Sequence, residues 1–372
     1  MTEKCRAIIS SNSKGTALTE NPRSPPTLND VAALAGVSAQ TVSNYLTGRN
    51  KPRSANLQRL EAAIKELGYR PSAAARALRL KRSNTIALLL EDGADSAVEK
   101  ARQNWEPLHA MFLYGATMKA RELGYRITIV LTEQGTTEAE AQRLVREGMT
   151  DALICSTEAM PDAQLRRLQK LARTENVPIA MLQEYRVHPD ICTVAAEDEH
   201  GATMVAEHFA ALGHKRVAVM IVLPLWPGPI RRRDGFEIAA RRLGLEVQVW
   251  ECERYDAETI RTYAANRLQR EDSPTAVFAV NDIIAINVMK QAIDMGLEVG
   301  RDISVVGFND LDIASQVTPP LTTIRTPAAT MGARAVEVLT NALGGQPLPQ
   351  STTLPVEFII RGSSGPPIRL QD

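Results

Sequence analysis

Apolar residues recur at helical spacing in some segments of the chain and form runs of strand length in others, and these patterns predict its helices and strands. Near the N-terminus, Thr27 and Asp30 form a T-x-x-D pattern, which is typical of the capping box that begins a helix. Val31, Leu34 and Ala35 then recur at helical spacing. This spacing predicts a first short helix with one apolar face.

A second short helix is predicted directly after the first. Gly36 can take the left-handed conformation that ends a helix, and Ser38 is a good cap for a helix over 39–46. That helix would bury Val42 and Leu46 and leave its small and amide residues exposed, namely Ala39, Gln40, Thr41, Ser43 and Asn44. Such a surface suits the major groove of DNA, and the alternative is a helical hairpin without a ligand.

A third helix completes a headpiece, which we define as residues 27–71. Ser54 is its expected cap, Gly68 its expected end, and its apolar stripe consists of Leu57, Leu60, Ile64 and Leu67. The following residues, 72–84, are rich in Ala and Arg and lack an apolar face. We expect this hinge and linker to form little helix on its own, because so short a helix does not overcome the cost of nucleation.

Runs of strand length alternate with helical patterns from residue 85 onward. The predicted strands are 85–90, 126–131, 151–155, 177–182, 216–222, 246–250, 276–280 and 303–308. The predicted helices are 107–123, 138–147, 161–174, 198–212, 231–243, 256–270, 282–295 and 327–343. This alternation predicts an α/β body of two doubly wound parallel-sheet subdomains.

Charge is distributed unevenly between the two parts. Residues 27–82 contain ten Lys and Arg against three acidic residues, whereas the whole chain has a formal net charge of zero. A basic N-terminal part on an acidic body is what phosphate contacts require. The 1–26 segment is polar and has no signal-peptide core, so we expect a disordered tail and a cytoplasmic protein.

Catalytic and metal-binding motifs are not found. The chain has no GxGxxG after a strand, no GxxxxGK[ST] and no GxSxG. His200 and His208 are eight residues apart without a third ligand, and the four cysteines form no CxxC pair. We therefore expect no catalytic residues, no metal and no cofactor, and we expect Cys155 and Cys192 to be buried thiols.

The run from Thr27 to Leu80 resembles the headpiece and hinge of the lactose-repressor/purine-repressor family of bacterial transcription regulators. The resemblance implies a hinge helix that forms on DNA, and DNA contacts at Thr27, Ser38, Ala39, Gln40, Thr41, Ser43 and Asn44. It also implies that Leu78, flanked by Arg76, wedges into the minor groove, which is physically reasonable for an apolar side chain among arginines. The alternative is a linker leucine that packs on the body.

The resemblance extends through the body in EHFAALGHKRVAVM (207–220), RRRDGF (231–236), AVFAVNDIIAI (276–286), RDISVVGFNDLDIASQVTPPLTTIRTP (301–327) and MGARAVEVL (331–339). It implies a periplasmic-binding-protein-like effector-binding and dimerisation domain over 85–372. Three strands would cross between its subdomains, near 195–201, 322–325 and 352–356. Subdomain one would then be about 85–196 and 326–352, and subdomain two about 197–325 and 353–372.

Three polar residues at strand ends match the family's effector contacts. Arg232, Asn281 and Asn309 could hold hydroxyls or a carboxylate, and Glu197 and Asp198 are weaker candidates. The alternatives are helix capping by Asn281 or Asp282, a turn at Asn309, and a solvated Arg232. The family often has Asp in place of Asn309.

One segment departs from the family pattern. Residues 91–125 are longer than the family's loop and place Trp105 and Phe112 near the expected cleft. The identity of the effector, for which the resemblance implies a sugar or related metabolite, therefore stays open.

The resulting hypothesis is a non-enzymatic, sequence-specific transcriptional regulator of the repressor type, controlled by a small-molecule effector. We expect a homodimer on a pseudo-palindromic operator, because the C-terminal GSSGPPIRLQD has no heptads for a tetramerising coiled coil. A solute-binding protein and a Rossmann-type enzyme are the alternatives. The basic headpiece argues against the first, and the lack of a phosphate-binding glycine loop against the second.

Overall fold

The computed structural model describes residues 26–46, 52–69, 82–92, 107–133, 135–156, 160–223 and 227–368. The backbone divides into two compact units, with the boundary between Leu80 and Lys81. The hinge candidates Arg76 and Leu78 lie outside the described residues, as do the 1–25 tail and Trp105.

The headpiece contains helices α1 (Leu28–Ala35), α2 (Ala39–Leu46) and α3 (Ser54–Glu66). The predicted capping box is confirmed: the Asp30 amide donates to Thr27 Oγ1 at 3.3 Å, and the Thr27 amide donates to the Asp30 carboxylate at 2.7 Å. Gly36 has φ +65° and ends α1. Ser54 is the first residue of α3 rather than its cap, because the extended residue before it, Arg53, occupies the cap position.

A small core holds the three helices together. Val31, Ala35, Val42 and Leu60 are buried in it. Leu34 was expected on the same apolar face but is 46% exposed. A three-helix unit of this size has too little interior to cover both sides of α1.

In the described residues, the body consists of two six-stranded sheets covered by helices. The strands are β1 (Thr85–Asp92), β2 (Arg126–Glu133), β3 (Ala152–Ser156), β4 (Ile179–Leu182), β5 (Ile191–Ala196), β6 (Arg216–Val222), β7 (Glu246–Cys252), β8 (Ala276–Ala279), β9 (Ser304–Asn309), β10 (Thr322–Arg325), β11 (Ser351–Leu354) and β12 (Glu357–Ile359). The first sheet has the order β11-β5-β4-β3-β1-β2 and the second has the order β12-β10-β9-β8-β6-β7. All strand pairs are parallel except β10 with β12. Separate apolar clusters cover the two faces of the first sheet, which confirms the doubly wound architecture.

The body helices are α4 (Pro107–Glu122), α5 (Thr137–Arg146), α6 (Asp162–Glu175), α7 (Asp198–Leu212), α8 (Pro227–Arg242), α9 (Ala257–Leu268), α10 (Asp282–Asp294) and α11 (Ala328–Leu343), with a 3₁₀ turn at Asp312–Ser315.

The chain passes between the two sheets three times. It leaves the first sheet at the end of β5, returns after β10 into α11, and leaves again between β11 and β12. Val356, between the last two strands, packs against the cores of both sheets. We call the first sheet with its helices subdomain one, and the second sheet with its helices subdomain two.

Helices α4 and α11 of subdomain one pack closely against each other. A Cβ atom on Gly115 would lie 1.8 Å from the Ala329 carbonyl oxygen, and one on Gly332 would lie 2.0 Å from the Phe112 carbonyl oxygen. Both positions therefore require glycine. Phe112 is 1% exposed and belongs to this core, so the expectation that it lies near the cleft is wrong.

Cys155 and Cys192 are buried thiols, as predicted, and Cys252 is also buried. In the described part of the chain, no helix is both long enough and apolar enough to span a bilayer.

Candidate functional site

The headpiece presents the N-terminal end of α2. Ser38, Ala39 and Gln40 are exposed there, while Thr41, Ser43 and Asn44 are half-buried. Ser38 caps the helix, because its Oγ accepts from the Thr41 amide at 3.1 Å. Thr27 is exposed at the start of α1. These are two helix N-termini of the kind that contact phosphate and base edges.

Two amides of α2 are ordered relative to each other. Gln40 Nε2 donates to Asn44 Oδ1 at 2.9 Å, one helical turn apart. Tyr45, the next residue, donates from its hydroxyl to Glu61 of α3 at 2.9 Å. The helix that carries the amides is therefore fixed on the headpiece core, with Gln40 pointing outward.

Arg232 of α8 is the centre of the polar cluster in the body. It is 2% exposed, and its Nε donates to Asp198 Oδ1 at 2.7 Å. Its Nη1 donates to the Val280 carbonyl oxygen at 2.8 Å, and the guanidinium lies 3.9 Å from the centroid of the Phe308 ring. Arg232 is therefore not a solvated member of the basic run but a buried, paired cation at the ends of β8 and β9.

Asn281 follows β8 and is 3% exposed. Its Oδ1 accepts from the Ile284 amide at 2.9 Å and caps α10, while its Nδ2 donates to the Tyr255 hydroxyl at 2.9 Å. The helix-capping role considered for Asn281 is therefore real. A ligand that reaches this residue would meet an amide whose orientation is already fixed.

Asn309 ends β9 in a strained conformation. Its φ is +113°, and its side chain is 1% exposed. Its Oδ1 accepts from the Thr326 hydroxyl at 3.2 Å, whereas its Nδ2 has no hydrogen-bond partner among the described residues. A buried donor without a partner, held on a strained backbone, is typical of a binding site.

Asp282 is a buried carboxyl group to which the sequence assigned only a possible cap role. It is fully buried, its Oδ1 accepts from the Thr323 hydroxyl at 2.5 Å, and its Oδ2 accepts from the Leu311 amide at 2.7 Å. Burial raises the pKa of Asp282 to about 7, against the lowering effect of these two hydrogen bonds. Asp282 therefore connects α10 to the crossing strand β10.

Asp198, the first residue of α7, has contacts on both of its oxygens. One accepts from Arg232, and the other accepts from the hydroxyl of Tyr185, which lies in the loop after β4. Burial, and then the Asp198 charge, raise the pKa of the Tyr185 phenol well above its usual value. Tyr185 therefore remains a hydrogen-bond donor at neutral pH.

A cavity of about 490 Å³ lies beside this contact. It is bounded by the loop after β4, the end of β5, the start of α7, strand β11 and Arg231, and both Glu197 and Asp198 line it. Arg232, Asn281 and Asn309 are not among its lining residues. The structure thus places Arg232, Asn281 and Asn309 at neighbouring strand ends of subdomain two, and Asp198 joins that cluster to the cavity.

Sequence reasoning missed Tyr185 and Phe308. The position of each residue in the sequence could have indicated it, since each stands at or just beyond the carboxyl end of a parallel strand, where ligand sites form. No group of three or more His, Cys, Asp or Glu in the described residues could hold a metal ion.

Comparison with known proteins gives matches over both parts of the chain. Residues 27–72 match the model described as "Bacterial regulatory proteins, lacI family", and residues 206–364 match the model described as "Periplasmic binding protein-like domain". The chain is 31% identical to the ribose operon repressor of Escherichia coli over 346 residues, which is 91% of this chain and 99% of that protein.

Two further similarities cover nearly the whole chain. The HTH-type transcriptional regulator DegA of Bacillus subtilis is 28% identical over 344 residues, which is 91% of this chain and 98% of DegA. The crystal structure of the Lac repressor dimer bound to operator and the anti-inducer ONPF has a TM-score of 0.77 at 26% identity, and covers 92% of this chain and all of that one.

Proposed function

The chain belongs to the LacI family of bacterial regulatory proteins, and from this premise we propose that it represses transcription as a homodimer on a pseudo-palindromic operator. It is a DNA-binding regulator with an effector-binding C-terminal domain, and it is not an enzyme. The observation that carries the proposal is the geometry of α2, a capped helix whose exposed N-terminal end presents Ser38, Ala39 and Gln40. The dimer on operator follows the similar Lac repressor structure.

Base recognition is assigned to α2. Gln40 and Asn44 carry amides suited to adenine, while Thr41 and Ser43 can contact either bases or phosphate. Thr27, at the N-terminus of α1, is assigned to a phosphate. The wedge role of Leu78, with Arg76 beside it, lies outside the described residues and remains a proposal from the family resemblance.

Effector binding is assigned to the cluster around Arg232. Asn309 supplies a buried donor without a partner in the described residues, Asn281 supplies a fixed amide, and Phe308 supplies an apolar face. Because Arg232 is already neutralised by Asp198, this cluster favours a neutral, hydrogen-bonding ligand over an anion. Glu197 and Asp198 contribute through the adjoining cavity.

The domain organisation proposed is a headpiece over 27–71, a hinge and linker over 72–84, and an effector-binding and dimerisation domain over 85–372. We also propose a cytoplasmic location, because the regulated DNA and the metabolite are both found there.

Selection of binding sites from random DNA tests the function. The full-length protein should select a site with two inverted half-sites, and sedimentation should show two chains on each duplex. Asn44 stands where the family usually has Arg, so the preference at its base should move away from guanine. An asymmetric site, or binding to all sequences alike, would refute the proposal.

A thermal-shift screen identifies the effector. A ligand present at 100 times its dissociation constant adds about 2.7 kcal/mol to the free energy of unfolding, which is readily detected. The panel should include neutral sugars and nucleosides together with phosphorylated sugars and organic acids. Stabilisation only by the anionic members would contradict the neutral character assigned to the Arg232 cluster.

A further inference from the structure

We propose that Tyr185 is a latch between subdomain one and subdomain two, and that its hydroxyl positions Arg232 through Asp198. The inference deepens the proposed effector site and rests on it. Tyr185 comes from subdomain one, whereas Asp198 and Arg232 belong to helices of subdomain two.

The loop that carries Tyr185 is fixed to subdomain one. The Glu184 carboxylate accepts from the backbone amides of Tyr185 at 3.0 Å and of Arg186 at 2.8 Å, which shapes the turn. Arg186 in turn donates to the Asp162 carboxylate at 2.6 Å and to the Met160 carbonyl oxygen at 3.1 Å. The backbone of Tyr185 is therefore held against the start of α6.

The side chain of Tyr185 reaches two helices of subdomain two. Its hydroxyl donates to Asp198 Oδ2 at the start of α7. The Arg231 guanidinium of α8 lies 4.8 Å from the centroid of its ring. At Gly228, also in α8, an added Cβ would lie only 3.3 Å from the Tyr185 hydroxyl oxygen, so the close approach depends on a small residue. These contacts connect the subdomains in addition to the three crossings of the chain.

Asp198 transmits the position of Tyr185 to Arg232. The carboxylate is 2% exposed, and each of its oxygens accepts one of the two partners, Tyr185 on Oδ2 and Arg232 on Oδ1. If the Tyr185 hydroxyl is removed, a buried carboxylate oxygen loses its donor and the group must rotate or gain water. Rotation would also change the ion pair that holds Arg232 over Phe308.

The latch has a functional consequence. A ligand that contacts Arg232 also acts on a side-chain network that ends in subdomain one. The arrangement of the two subdomains and the affinity for the ligand are then linked, because the ligand binds the latched and unlatched arrangements differently. Tyr185 is thus a positioning residue that acts on the effector through Asp198 and Arg232.

Spin-label distance measurement tests the latch without any ligand. Labels are placed on full-length protein through Lys170→Cys on α6 and Lys290→Cys on α10, both exposed, with Cys5→Ser. The described native cysteines are buried. Tyr185→Phe keeps the ring and removes the hydroxyl, so we expect a broader distance distribution between the subdomains. Gly228→Ala crowds the Tyr185 hydroxyl without changing the latch residues. It should also broaden the distance distribution, but less than Tyr185→Phe does.

Tyr263→Phe is the matched control. Tyr263 also has a guanidinium near its ring, that of Arg267 at 5.1 Å, and its hydroxyl accepts from Arg267 at 2.8 Å, but both residues are on α9. The distance distribution of the labelled Tyr263→Phe protein should superimpose on that of the labelled parent protein. Distributions that stay unchanged in both Tyr185→Phe and Gly228→Ala would overturn the latch.

Operator binding separates this proposal from the proposed function. Each labelled protein is also tested by gel shift on the selected operator. Intact operator binding together with unchanged distances would overturn only the latch. Failure of the unsubstituted protein to bind any specific DNA would instead refute the proposed function, whatever the distances show.

Discussion

Asp282 makes the stability of the body depend on pH near neutrality. Its carboxyl group has a pKa of about 7 in the folded protein, compared with 3.8 for an ordinary Asp, because the group is fully buried. Between these two values the folded chain retains a proton that the unfolded chain has lost. The stabilisation is therefore complete below the ordinary pKa, falls as the pH rises, and is lost once the pH passes the folded pKa.

The magnitude follows from the fraction of folded chains that keep the proton. Between about pH 6 and about pH 8 this fraction falls from about 0.9 to about 0.1, while the unfolded chain stays ionised. On average half a proton is bound over these two pH units, which corresponds to about 1.4 kcal/mol of lost stability. Asp282→Asn has one acceptor and one donor, like the protonated acid, so its oxygen should accept from the Leu311 amide while its nitrogen donates to the Thr323 hydroxyl oxygen. The variant cannot ionise, so it should not show this loss.

Urea denaturation followed by circular dichroism at several pH values, at one protein concentration, measures the effect. The parent protein and Asp282→Asn should have similar stability near pH 6, and the variant should be about 1.4 kcal/mol more stable near pH 8, because other titrating groups cancel in the difference. A difference between the two proteins that does not change with pH would refute the reasoning. Asp282 would then already be ionised in the folded protein near pH 6.

Other substitutions test the headpiece, base recognition, the packing of the body and the Arg232 ion pair. Thr27→Ala should lower headpiece stability by about 1 kcal/mol in thermal unfolding, through loss of the capping box; an unchanged midpoint would argue against that role. Gln40→Ala should weaken operator binding by about 1–3 kcal/mol while its salt slope stays the same, since the amide contacts no phosphate; equal losses on random DNA would contradict base recognition. Gly332→Ala should destabilise the body by about 1–3 kcal/mol in urea, because the added Cβ meets backbone. Arg232→Ala should lower the free energy of unfolding by about 3–5 kcal/mol, because the buried Asp198 carboxylate loses its counter-ion. A decrease below about 1 kcal/mol would show that water already reaches the pair.

Local patterns in the sequence predicted most of the fold. The capping box at Thr27, the left-handed glycine at position 36 and the long apolar runs of the body specify their elements through neighbouring residues alone, and these predictions are confirmed. Short strands such as β5 and β12 were not assigned from periodicity. The six residues of β5 are all buried and so show no alternation, and the three residues of β12 are too few to show a period. Their strand character comes from pairing with distant strands.

The site was harder to predict than the fold. Strand-end position and family resemblance indicated Arg232, Asn281 and Asn309, and the structure places all three at the ends of the second sheet. The pairing of Arg232 with Asp198 could not be deduced, because these residues are 34 positions apart and meet only after α7 and α8 pack. The contact of Tyr185 with Asp198 likewise depends on how the two subdomains meet.

Operator affinity, measured with and without the ligand found by thermal shift, tests the central claim most directly. Coupling between an effector site and a DNA-binding unit typically changes affinity by about 5-fold to 150-fold. We expect a saturating ligand to change the affinity for the selected operator within that range and to leave binding to random DNA almost unchanged. Identical operator affinity with and without saturating ligand would contradict the claim that this protein is an effector-controlled regulator.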